Sequence, residues 1–221
     1  MRCHLITELS RVFSPDCRRC SRLADFLDAS RDRYPDYYCK PVPPFGDQNA
    51  HLLIVGLAPG LHGANATARP FTGDHAGILL YQTLFDCDFS SAPVSRAGDD
   101  LSLYDCRITN AVKCVPPQNK PMAKEVNTCN DFLRSELQGL PDSHVILALG
   151  GIAHKAVIRA LGLRQADFGF GHNVLHELAA GQYLLDSYHC SRYNTQTRRL
   201  TDEMFQSVFV QARQLLKDEI Q

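Results

Sequence analysis

The chain has 221 residues, 44% hydrophobic and 21% charged, with 23 Lys+Arg against 24 Asp+Glu for a formal net charge of -1. This is the composition of an ordinary folded domain; it excludes collagen-like and low-complexity chains and removes the simplest charge argument for a nucleic-acid binder. The apolar runs near 51–61 and 145–153 are too short for the ~18 residues of a membrane span, so no membrane association is expected.

In chain order, strands are expected over 51–58 (HLLIVGLA), 107–113 (RITNAVK), 144–149 (HVILAL) and 183–189 (YLLDSYH). Each is short, rich in aliphatic and β-branched residues, and bounded by Gly, Pro or Asp. Helices are expected between and after them over 77–85, 123–138, 151–161 and 201–217, the last with Asp202 and Glu203 near its start and Lys217 near its end. Strands alternating with helices give a single α/β domain with a mainly parallel sheet. His172 and His176, in GHNVLHEL, should share one face of a strand or hairpin in a structural role. Residues 1–13 mix acidic and basic side chains where a signal peptide would be apolar, so a cytoplasmic chain is expected. Nine Cys in a reducing compartment, and an odd count, argue against a disulfide framework.

In such sheets ligands bind beyond the carboxyl ends of the strands, which directs attention to three segments. Residues 56–74 (GLAPGLHGANATARPFTGD) form a Gly- and Pro-punctuated loop with His62, Asn65, Arg69 and Asp74, but lack the spacing of a phosphate-binding loop. Residues 187–201 (SYHCSRYNTQTRRLT) place His189 at a strand end before Arg192, Arg198 and Arg199, with no acid between Asp186 and Asp202. Such a loop suits phosphates and base edges. Cys17 and Cys20 form C-x2-C, and Cys114 and Cys129 are separated by 14 intervening residues. Four thiolates so arranged suit a structural zinc or a [4Fe–4S] cluster, and spacing alone does not choose. A thioredoxin-type site and a zinc deaminase are both disfavoured by the surrounding sequence.

GLAPGLHGANATARPFTGD, ITNAVKC and SYHCSRYNTQTRRLT together resemble the motifs of the uracil-DNA glycosylase superfamily, and most closely its family 5 branch (UDGb-type), which contains an iron–sulfur cluster. The resemblance runs from about Cys17 to Thr201. It implies a three-layer α/β/α sandwich around a central four-stranded parallel sheet. It also implies an enzyme that flips uracil, and other deaminated bases such as hypoxanthine, out of double-stranded DNA and excises it; with no evident nucleophilic Lys at the proposed pocket, that enzyme is expected to be monofunctional. Such an enzyme would act as a monomer in the bacterial cytoplasm, associated with the nucleoid through DNA. The competing readings are a non-catalytic nucleic-acid-binding domain around a zinc or iron–sulfur staple, and a redox protein.

On the matching positions, the resemblance implies Cys17, Cys20, Cys114 and Cys129 as ligands of a [4Fe–4S] cluster. Cys39 falls where relatives carry an aromatic residue, and Cys3, Cys87, Cys106 and Cys190 read as incidental. Ala58 occupies the slot where other branches carry the acid or Asn that positions water; it lines the base pocket without doing that work. Asp74 is the candidate substitute, stabilising the sugar cation and holding the water, the alternative being a cap on helix 77–85. His189 donates to the base oxygen, Asn110 reads the flipped base, Phe71 stacks on it, and Asn65 and His62 join the pocket. Arg192, Arg198 and Arg199 would meet DNA, with Tyr193, Asn194 and Gln196 near the vacated base position. Arg107, Lys113, Lys120 and Lys124, and Arg18, Arg19 and Arg22 around the other cysteine pair, would present further charge to phosphates. Ala68 and Arg198 replace glycines of the family pattern; if either position needs φ > 0, the side chain costs about 1 kcal/mol. His75 has no role in this reading.

Overall fold

A computed structural model describes residues 13–179 and 181–218. Cys3 lies outside them. The elements are α1 (Ser21–Arg33), β1 (Phe45–Gly46), β2 (Leu52–Gly56), α2 (Ala64–Thr67), α3 (His75–Asp86), β3 (Cys106–Asn110), α4 (Ala123–Gln138), β4 (His144–Leu149), α5 (Gly151–Ala160), β5 (Leu175–Ala179), β6 (Gln182–Ser187), α6 (Arg192–Gln196) and α7 (Asp202–Asp218).

One six-stranded sheet runs in the order β1-β3-β2-β4-β6-β5. Its inner strands β3, β2, β4 and β6 are all parallel, as expected, but antiparallel β1 and β5 add an edge on each side, so the sheet is mixed. β2 and β4 are buried at every position, which is why their sequences read as continuous aliphatic runs rather than alternating ones. β5 alternates exposed and half-buried residues, as a strand covered on one face does. The expected strand ends at Ala58, Lys113 and His189 pull back to Gly56, Asn110 and Ser187. Pairing stops there because the chain turns out of the sheet, and the turned-out residues carry the site.

Three layers result. Leu80, Tyr81 and Leu84 of α3 and Phe205, Val208 and Phe209 of α7 pack on one face of the sheet with Ile54, Ile108 and Leu147. Leu133 of α4 and Ala153, Ala156 and Val157 of α5 cover the other face, against Val55, Ile146 and Leu184. Helix α1 is absent from the sequence expectation; it buries Leu23 and Leu27 in a third cluster with Val112, Val115 and Phe132. Half-buried Ala58 and Leu61 pack on that same cluster, so the cysteine region and the first motif share a wall. No helix among the described residues is long and apolar enough to cross a membrane.

Candidate active site

The residues just past the ends of β2, β3, β4 and β6 meet around one cavity of about 560 Å³. Ala58, Phe71, Asp74, Asn110, His189 and Arg192 line it. Asn119, Ser191, Tyr193 and the start of α5 at Gly151, Ile152 and Ala153 are also part of the lining.

Phe71 is held in an unusual backbone state. It is buried, with φ at 59°, a region non-Gly residues seldom occupy. Two glycines hold it there by close approach. A Cβ on Gly56 would fall 2.6 Å from the Phe71 ring, and a Cβ on Gly77 would fall 1.7 Å from its carbonyl oxygen. The ring faces His189 with centroids 6.0 Å apart and planes 29° from parallel. Asn110 lies over the same glycine, its Oδ1 2.4 Å from where a Gly56 Cβ would be. Gly56 thus lets an aromatic face and an amide approach one another.

Asp74 occupies the N-cap position of α3, yet its side chain makes no hydrogen bond to that helix. It turns instead toward the segment from Gly60 to Ala64, whose backbone N–H groups favour the ionised carboxylate. A Cβ on Gly60 would stand 2.4 Å from Asp74 Oδ1, and one on Gly63 would stand 2.0 Å from Cγ, so the cradle has no room for side chains. Burial raises the Asp74 carboxyl above its ordinary pKa, and the two N–H donors and His62 only partly offset it. Burial also brings the His189 imidazole down to about 4, leaving it neutral at neutral pH. The cavity therefore places a poorly solvated carboxyl near a neutral imidazole, an amide and an aromatic face.

Not every expected residue arrives. Asn65 is fully buried behind the cavity, its Nδ2 donating to Cys39 Sγ and the Leu61 carbonyl at 3.5 Å. His62 is exposed, with Tyr37 Oη 3.0 Å from its Nδ1 and Tyr34 edge-on. Asn194 points inward and donates to the His189 carbonyl at 2.8 Å. His75, without a role from sequence, lies 3.3 Å from Thr195 Oγ1 and so ties α3 to α6. Arg192, Tyr193, Gln196 and Arg198 are exposed around α6, while Arg199 lies over the Tyr188 ring at 4.6 Å. Asn119, Ser191 and the Gly151 turn were missed as lining; the turn's one sequence signal was its place after a strand.

The uracil-DNA glycosylase superfamily model matches residues 43–213. The chain belongs to the uracil-DNA glycosylase superfamily. Among relatives, it is 46% identical over 204 residues to a type-5 uracil-DNA glycosylase of Thermus thermophilus, covering 90% of this chain and 93% of that one. It is 42% identical over 222 residues to the type-5 enzyme of Pyrobaculum aerophilum, covering 93% and 96%. A type-4 uracil-DNA glycosylase of the same organism is 37% identical over a shorter stretch of 134 residues, 60% of this chain and 61% of that one. The chain thus sits on the type-5 side of the superfamily.

The two positions expected to replace glycines have unusual backbone angles. Ala68 has φ at 63° and Arg198 φ at 55°, so both stand in the left-handed region that favours glycine. Both loops keep their shape against that local cost.

Cys17, Cys20, Cys114 and Cys129 line a single small chamber with Leu23, Val112 and Phe132. Cys114 and Cys129 are buried, and Cys17 and Cys20 are half-buried. Burial pushes the Cys129 thiol up to about 11, and burial together with its three neighbouring cysteines raises Cys114 further still. Four thiolates here need a cationic group among them. Around one Zn²⁺, four sulfurs at ~2.3 Å would lie ~3.8 Å apart. Among the described residues, the donors that gather within 4.8 Å as a set of three or more do not include these cysteines. Their spacing is wider than one ion requires.

The charge around this chamber corrects one expectation. Arg18, Arg19 and Arg22 pair with Asp28, Asp131 and Glu125 rather than standing free. Lys113 is 1% exposed and ion-paired with Glu136 at 2.8 Å, so it cannot reach a phosphate.

Proposed function

We propose that the protein is a monofunctional DNA glycosylase that extrudes uracil from double-stranded DNA and hydrolyses its N-glycosidic bond. The convergence of Asp74, Phe71, Asn110 and His189 on one cavity at the carboxyl ends of the sheet carries this reading. Cleavage builds positive charge on the deoxyribose and negative charge on the leaving base. The Asp74 carboxylate, steadied by two backbone N–H groups, opposes the first and holds the attacking water. Neutral His189 donates a hydrogen bond to the base oxygen where negative charge gathers, Phe71 receives the base face, and Asn110 reads its polar edge. Ala58 keeps its slot apolar, so Asp74 alone supplies the acid. A cap-only role for Asp74 is disfavoured because its carboxylate turns away from α3.

The 560 Å³ cavity is roomy enough for a purine, which supports hypoxanthine as a further substrate. In this reading the protein acts as a monomer, in the cytoplasm, on DNA of the nucleoid. Arg192, Arg198 and Arg199 around α6 form the DNA-facing rim. Cys17, Cys20, Cys114 and Cys129 would hold a [4Fe–4S] cluster, a reading supported by their shared chamber and wide spacing. When bound, the cluster supplies the cationic staple that four thiolates need. The residues it joins fix the segment before α1, the loop after β3, and α4.

The deciding experiment incubates the purified protein with a duplex bearing one uracil, then treats it with alkali. Strand cleavage at the uracil is expected; intact DNA for uracil and hypoxanthine alike would overturn the reading.

A further inference from the structure

Sequence spacing couples His176 with His172, but the fold gives them different partners. His172 Nδ1 accepts the backbone N–H of Tyr188 at 3.2 Å. His176 turns instead toward Asp186 of β6 and His154 of α5, and the donors of these three lie within 4.8 Å of one another. Among the described residues no other set of three His, Cys, Asp or Glu side chains gathers its donors so closely. Asp186 is 0% exposed and His154 2%.

The hydrogen bonding of this group is incomplete. His154 Nε2 lies 3.0 Å from the Phe168 carbonyl, which can only accept, so Nε2 carries a proton. His154 Nδ1 then faces Asp186 Oδ1 at 2.9 Å, and a positive species must sit between lone pair and carboxylate. A second proton on His154 would satisfy that contact alone. It would leave Asp186 Oδ2 buried without a hydrogen-bond partner. His176 Nε2 would then donate to the Gly169 carbonyl at 3.2 Å and stand 3.7 Å from that oxygen, beyond hydrogen-bonding distance.

A metal ion accounts for all of these contacts together. Donors at ~2.1 Å from a tetrahedral ion lie ~3.4 Å from one another. The separations of 2.9 Å for His154 to Asp186, 3.7 Å for Asp186 to His176 and 3.2 Å for His176 to the Gly169 carbonyl bracket that figure. We propose that His154 Nδ1, Asp186, His176 Nε2 and the Gly169 carbonyl form a structural site for a divalent cation of the zinc type. Two imidazoles and a carboxylate favour such an ion over magnesium or calcium, and the Phe168 carbonyl orients His154 as outer partners of metal-bound histidines do. The site joins α5, β5, β6 and the segment between α5 and β5. It lies behind the cavity wall, since α5 also presents Gly151 and Ala153 to the cavity and His189 follows Asp186 by three residues.

The test uses the full-length protein with its cysteine chamber as purified, stripped with a chelator and titrated with Zn²⁺ or Co²⁺ alone. One equivalent should bind and raise the melting temperature. Co²⁺ should give visible d–d bands without thiolate-to-cobalt charge transfer. His176→Gln, on an edge strand that tolerates it, should weaken binding ~100-fold, whereas a Cys17→Ser, Cys20→Ser double variant should keep it. No binding to the stripped wild type, or undiminished binding by His176→Gln, would overturn the site and leave a protonated His154–Asp186 pair.

Discussion

The cavity at the strand ends and the cysteine chamber are neighbours, with Ala58 lining the first and packing on the cluster that holds the second, yet they are built on opposite terms. The cavity draws polar groups out of water, Asn110 among them, and sets Phe71, at φ 59°, against its local preference. The chamber sets two buried and two half-buried thiols among leucine, valine and phenylalanine, with Val112 and Val115 fully enclosed. The difference teaches where each region's shape comes from. The chamber's ligand pattern is visible as spacing, whereas the cavity's polar geometry depends on glycines that make room for other residues.

The largest effect should come from Asp74→Asn. Loss of the carboxylate is expected to slow excision ~10²–10³-fold, read by single-turnover kinetics on a uracil duplex. The same change should raise the melting temperature at neutral pH. Burial raises the folded-state pKa of Asp74, so its contribution to stability is full below the unfolded value and is lost as pH rises through the folded one. An unchanged or lower melting temperature would place the cost elsewhere.

The pH profile sharpens the contrast further. Excision should decline on the acid side at a pH above the ordinary carboxylate range, and that limb should disappear in Asp74→Asn. His189, lowered to about 4, should add no limb near neutrality. Its contribution to stability is full above ~6.5 and is lost as pH falls toward about 4.

Next in size is Gly77→Ala. Its Cβ would meet a backbone oxygen rather than a movable side chain, so a cost of about 2–3 kcal/mol by denaturant unfolding is expected, with weakened excision as Phe71 shifts. Smallest are Ala68→Gly and Arg198→Gly, each expected to raise stability by about 1 kcal/mol by relieving a left-handed residue. Only Arg198→Gly should also weaken DNA binding, with a shallower salt dependence.

Much of this was legible before the structure. The buried strands announced themselves because burial on both faces demands unbroken aliphatic runs, and helix α4 kept its expected bounds, 123–138. Asp74, Phe71, Asn110 and His189 were legible through motifs, and their meeting place through the rule that strand ends hold ligands. Other features depended on contacts no spacing reveals. Asn65 reads as a polar loop residue and is in fact buried against Cys39, a residue distant in sequence. Lys113 reads as a free cation because its partner Glu136 lies a helix away. Helix α1 carries a weak sequence signal because Leu23, Ala24 and Leu27 alone make its buried apolar face.

The hydrogen bond from Asn194 to the His189 carbonyl links two things usually treated apart, the surface that grips the strand and the ring that acts on the base. A displacement of α6 must either break that 2.8 Å bond or carry the imidazole's backbone with it. Grip and chemistry are in this sense geared together. A duplex that seats α6 poorly should then be processed slowly even when the correct base has entered the pocket.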